Sequence, residues 1–256
     1  MYIDKKIIYI ILAIVAGYSM IGLLSNTNAL LSLLYSIPGV LIAITFHEFA
    51  HAFAADKLGD DTPRLQGRLS LNPLAHLDPI GSLMLLFARV GWGKPVQINP
   101  TNFNRTISMS KGEAIVSAAG PIMNFILAII FCIIYFIIQK FAGAFAVTQA
   151  GNIVMTIIMS TVLINLGLGI FNLIPIPPLD GSKILKNFLP YKAKAWMESN
   201  EYLFYILFLV LWVLGILGNI ISPLISLVTN ILFSGIGSLF GFEYKRENST
   251  KRGNNI

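Results

Sequence analysis

His47, Glu48 and His51 stand together in the run LIAITFHEFAHAFAADKLG, the one place where this sequence spaces metal-binding side chains for chemistry. On a helix, residues four apart share a face, so His47 and His51 can point at one ion. Glu48 follows His47 directly, which sets its carboxylate beside such an ion rather than on it. This HExxH spacing supplies two imidazole ligands and a base for a metal-activated water. The flanking residues are apolar, and ionisable groups inside an apolar span are costly unless they serve a function.

A hydrolytic zinc centre takes three protein ligands, so a third must come from elsewhere in the chain. Asp4, Glu243 and Glu247 lie near the ends, Asp56, Asp60 and Asp61 trail the HExxH helix, and Glu198 and Glu201 sit with lysines. Asp78, Glu113 and Asp180 remain. Asp180 occurs in FNLIPIPPLDGSK, where three prolines break the helix and let a carboxylate face inward from irregular backbone. Spacing favours Asp180, while a turn at the Asp-Gly pair and a ligand role for Asp78 stay open.

The elements that must position these residues are membrane spans. The 256 residues are 55% hydrophobic and 12% charged, with mean hydropathy +0.74, about half the charge of a soluble chain. Six segments are long enough to cross a bilayer as helices, at about 6–25, 33–56, 113–138, 152–174, 202–221 and 224–241. The last is diluted by Ser, Thr, Asn and Gly and can instead lie at the interface. The apolar run Ile7–Leu24 reads as a retained span rather than a cleaved leader.

Six spans put both ends, 57–111 and 183–200 on one side. That side holds every Lys and Arg except Lys140 out of 18, the asymmetry expected of a cytoplasmic face. The net charge of +6 therefore records topology, and no nucleic-acid partner is expected. Between the second and third spans, PIGSLMLLFARVGWGKPVQI is apolar but interrupted, which predicts a re-entrant loop or a small membrane-associated hairpin. The fold class expected is an all-α polytopic membrane protein. Residues 1–241 would form a single transmembrane catalytic domain with its core at about 33–185, followed by a disordered cytoplasmic tail at 242–256. The lone Cys132 excludes an internal disulfide and reads as a packing residue.

HEFAH in a span and FNLIPIPPLDG far downstream, with GRLSLNPLAHLDPIG and AAGPIMN between them, resemble the site-2 protease family of intramembrane zinc metalloproteases. The similar stretches run from about 40 to 185. The resemblance implies that His47, His51 and Asp180 bind one Zn2+ per chain and that Glu48 is the catalytic base. It implies that Asn172, eight residues before Asp180, lines the site and helps hold substrate or the oxyanion. His76, in NPLAHLDPIG, could donate to an oxyanion or only hydrogen-bond within its loop; the second reading is favoured. Asn124 in AAGPIMN reads as structural, beside Gly120 and Pro121. No room exists for a PDZ or CBS domain in this sequence, so it has the form of a minimal catalytic core.

The function expected is hydrolysis of peptide bonds within or near transmembrane segments of membrane-protein or peptide substrates, as in regulated intramembrane proteolysis. The expected location is a prokaryotic plasma membrane, with both ends and the active-site mouth cytoplasmic. A metal-ion transporter would need a second His or acid cluster in other spans, which the sequence lacks. A catalytically dead scaffold would not need Glu48. A zinc protease with its site outside the membrane does not explain the apolar residues around His47. The substrate and oligomeric state are not legible in the residues.

Overall fold

Asn26 begins the helix that carries both imidazoles: its Oδ1 accepts from the amides of Asn28 (3.0 Å) and Ala29 (3.2 Å), an N-cap that satisfies two otherwise orphaned donors. In this computed structural model, residues 17, 26–78, 81 and 93–242 are described. The capped helix, α1, runs Thr27–Lys57. A short helix α2 (Thr62–Leu65) follows. Next come α3 (Met109–Phe141), the turn-length α4 (Gly143–Ala146) and α5 (Gln149–Asn172). The chain then bends through the proline-rich stretch into α6 (Asp180–Phe188), α7 (Tyr191–Ser199), α8 (Glu201–Val213) and α9 (Ile216–Leu239).

Four of these helices, α1, α3, α5 and α9, are long and apolar enough to cross a membrane. The 33 residues of α3 reach about 50 Å at 1.5 Å per residue, well beyond a hydrocarbon layer of about 30 Å. One side of α3 exposes Ile115, Ile122, Ile126, Ile129, Ile130 and Ile137, as a lipid-facing surface would. The other side packs on α1, α5, α6 and α9. α1 also packs along α5, so α1, α3 and α5 form a mutually contacting trio with α9 against its α3–α5 side. A core of Ala128, Cys132, Phe136, Val162, Leu166 and Phe233 joins α3, α5 and α9; Cys132 is a buried packing residue, as expected.

Three of the six expected spans coincide with α1, α3 and α5. The segment 6–25 lies outside the described residues apart from Gly17. The remaining two are divided differently from the expectation. α8 is only 13 residues, and the break falls at Gly215, which takes the left-handed conformation at φ 70°, rather than near Ser222. Glycine adopts that conformation without the steric cost a side chain would bring. Pro223 is accommodated inside α9, so the segment that looked weakest is a span-length helix and its predecessor is the short one.

Most of the expected re-entrant loop or hairpin, 79–80 and 82–92, also lies outside the described residues. Its two ends meet: Leu77 and Gly93 form an antiparallel bridge, and the Lys94 amide donates to the His76 carbonyl at 2.7 Å. Phe242, which the sequence suggested as the start of the tail, packs on Phe136 with ring centroids 5.5 Å apart. Residues 243–256 are outside the described set.

Candidate metal centre

Two turns of α1 bring His47 and His51 onto its buried face, 5% and 8% exposed. Their rings meet edge to face at 4.6 Å. The side of α3 facing them is hollowed by Gly120. A Cβ there would lie 2.5 Å from His51 Nε2 and 2.6 Å from His47 Cε1, so any side chain would displace the imidazoles.

The outer nitrogen of each ring is fixed by a partner on α3. His51 Nδ1 donates to the Val116 carbonyl at 2.7 Å, and a carbonyl can only accept. His47 Nδ1 lies 2.6 Å from Asn124 Oδ1. The orientation of that amide is set in turn, since Asn124 Nδ2 donates to the Ala43 carbonyl (3.1 Å) and to Asn165 Oδ1 (3.0 Å). Asn165 Nδ2 completes the chain by donating to the Thr161 carbonyl at 2.9 Å. Asn124 therefore presents its oxygen to His47, and both histidines carry their proton on Nδ1 when neutral. This leaves both Nε2 lone pairs aimed inward. Second partners of this kind orient metal-binding imidazoles and raise their basicity.

The third donor arrives from α6. After the prolines, Asp180 opens that helix, and Gly181 permits the tight return: a Cβ on Gly181 would sit 2.3 Å from the Leu173 carbonyl oxygen. Asp180 Oδ2 lies 3.2 Å from Nε2 of His47 and 3.2 Å from Nε2 of His51, and the two nitrogens are 3.0 Å apart. Three electron-pair donors this close, in apolar surroundings, repel one another unless a cation lies between them. The donor set fits zinc: two imidazoles and a carboxylate are a catalytic-site combination, and a tetrahedron with bonds of about 2.0–2.1 Å has edges of about 3.3 Å.

Glu48 stands one residue along from His47, outside this trio. Its Oε2 accepts from the Val96 amide at 3.2 Å, so the stretch after the bridge at Gly93 holds the carboxylate at the edge of the centre. Of the described His, Cys, Asp and Glu, the group able to hold a metal is His47, His51 and Asp180. Asp78 is not in it; its Oδ1 accepts from the Gly81 amide at 2.7 Å and caps a turn.

His76 is fully buried, with Nε2 donating to the Ser70 carbonyl at 2.6 Å, a contact within its own loop. Asn172 ends α5 with its Nδ2 on the Leu168 carbonyl at 3.1 Å, one turn back. Neither is among the three converging donors. The residue that sequence reasoning undervalued is Asn124. A fully buried amide in an apolar helix is a signal that it has partners, though which partners cannot be read from the sequence.

Comparison with known proteins reaches the stretch that carries Asp180. A family model described as Peptidase family M50 matches residues 138–215, which hold Asn172 and Asp180. The Bacillus subtilis (strain 168) protein named "Putative zinc metalloprotease YwhC" is 36% identical over 193 residues, covering 75% of this chain and 86% of that protein. A Mycolicibacterium smegmatis protein, Rip2, named in the same terms, is 32% identical over 180 residues, 68% of this chain and 65% of its own length. Its Mycobacterium tuberculosis (H37Rv) namesake is 32% identical over 171 residues, 65% and 62%. The chain thus spans just under two thirds of the Rip2 proteins. No solved structure matches it.

Proposed function

The chain belongs to the M50, or site-2 protease, family of zinc metalloproteases, and from that premise we propose that it hydrolyses peptide bonds within or beside transmembrane segments of membrane-protein substrates. The observation that carries the proposal is the convergence, to within 3.2 Å of one another, of a carboxylate oxygen from α6 and two Nε2 atoms from a helix long and apolar enough to span a membrane. His47, His51 and Asp180 would hold a single zinc ion per chain. When bound, zinc makes a water acidic enough to ionise near neutral pH and polarises a carbonyl.

The protein's own contribution is positional. Asn124 and the Val116 carbonyl keep both rings in the tautomer that presents Nε2. Glu48 sits beside the centre with a carboxylate free to accept the water's proton and to return it to the leaving amine. A helical substrate hides its carbonyls in hydrogen bonds and must unwind locally before cleavage. Extended substrate can then add as a strand to the 88–100 segment. Both ends and the mouth of the site face the cytoplasm of a prokaryotic cell in this reading, supported by the distribution of Lys and Arg.

The test compares wild type and Glu48→Gln on single-span substrates in liposomes, with and without a chelator. The variant should keep its zinc and lose about 100- to 10,000-fold in kcat, the scale of general acid–base catalysis. The chelator should abolish cleavage by the wild type. Wild-type turnover in the Gln variant would end the assignment.

A further inference from the structure

The stretch Lys94–Asn99 crosses the site as an extended strap, fastened at three amides. Lys94 N–H is held by the His76 carbonyl at 2.7 Å. Val96 N–H holds Glu48 Oε2 at 3.2 Å, and Asn99 N–H donates to Asp60 Oδ2 at 2.6 Å. The third fastening uses an acid that is completely buried, an expensive placement unless its oxygens are fully engaged.

The two oxygens of Asp60 have separate tasks. Oδ1 accepts from the Thr62 amide (3.1 Å), the Thr62 hydroxyl (2.5 Å) and Asn102 Nδ2 (3.0 Å), which closes the turn leaving α1. Oδ2 accepts from the Asn99 amide at 2.6 Å, a length expected of a charge-assisted contact. Burial works to raise the carboxyl, but hydrogen bonds from Thr62, Asn99 and Asn102 prevail and keep it below its ordinary value. It is therefore ionised and acts purely as an acceptor.

We propose that Asp60 is a positioning residue for Glu48: it latches the far end of the strap whose Val96 amide orients the catalytic carboxylate. This rests on Glu48 being the base. Asp60 touches neither substrate nor the metal centre and works only through the strap. The isosteric Asp60→Asn change isolates the latch. Three donors face Oδ1, so the amide oxygen takes that place and the NH2 is turned toward Asn99 N–H, donor against donor.

The experiment uses the full chain in liposomes, with zinc content measured for each variant. Asp60→Asn should lower kcat between about 10- and 100-fold, the scale of a small misplacement of a catalytic group. Zinc per chain should be unchanged, because the metal ligands are untouched, and the loss in kcat should exceed any change in KM, since the strap lies in the segment proposed to pair with substrate. Amide exchange at Val96 should accelerate. Thr62→Val, which loosens the turn at Oδ1 only, should leave kcat within about twofold. In a Val96→Pro background the amide through which Asp60 acts is gone, so adding Asp60→Asn should cost nothing further, whereas a merely structural role would give multiplying losses. Unchanged Val96 exchange in Asp60→Asn, normal kcat, or multiplying effects would each overturn the latch. Retained cleavage in Glu48→Gln would overturn the base assignment instead, so the two failures are distinguishable.

Discussion

The two halves of α3 do different work with the same helix. From Gly112 to Asn124 its buried residues are Gly112, Ala114, Val116, Ser117, Gly120, Pro121 and Asn124; from Leu127 onward they are Leu127, Ala128, Cys132 and Phe136. The first half is thin: Val116 packs with Ala55 and Phe103, and at the metal centre its contacts are directional, with a carbonyl to one imidazole, an amide oxygen to the other and a missing side chain where the rings stand. The second half is thick and apolar. Phe136 meets Tyr135 at 5.4 Å, Phe233 at 5.5 Å and Phe240 at 6.2 Å, in an aromatic cluster with polar groups only at its edge, where Gln139 reaches the Tyr135 hydroxyl at 3.5 Å. In lipid, apolar packing has no solvent to escape from and rests on dispersion, whereas polar contacts specify partners. The bundle is therefore held loosely in kind at one end and by atom-to-atom assignment at the other.

Substitutions that separate those roles test the contrast, and the largest effect belongs to Gly120→Ala. The added carbon falls where both rings lie, so zinc affinity, read by chelator competition, should drop at least about 100-fold, the upper end for disturbed outer contacts. Asn124→Leu should follow, with zinc affinity and cleavage reduced about 10- to 100-fold through the freed His47 ring. Phe136→Leu should have the smallest effect. Activity and zinc content should stay within about twofold, and the change should cost no more than about 1–2 kcal/mol of stability in detergent unfolding, as apolar swaps usually do. A Phe136 variant that lost zinc as severely as Asn124→Leu would show that the two halves are not separate.

What could be read from the sequence followed from locality. His47 and His51 are one helical turn apart, so their shared face needed no tertiary knowledge. Asp180 was favoured by three prolines next to an acid at the end of an apolar run, but a plain turn at the Asp-Gly pair stayed open until the family resemblance was added. Asn124 was not: its partner His47 is 77 positions away, and the depth at which α3 crosses α1 decides whether that amide meets an imidazole or another helix backbone. Asp60 looked like one of three acids trailing a helix, and nothing local shows which of them is buried. The break at Gly215 was missed for a related reason. Glycines are frequent throughout that region, and only the backbone conformation marks which one turns the chain.

The line Thr161–Asn165–Asn124–His47 crosses α5, α3 and α1 in succession. Sliding α5 by a single turn, about 5.4 Å, would strip Asn124 of its Asn165 acceptor and leave the Ala43 carbonyl alone to hold the amide's orientation toward His47. The relative depth of three helices is thus written into the orientation of one imidazole, through a single file of side-chain amides.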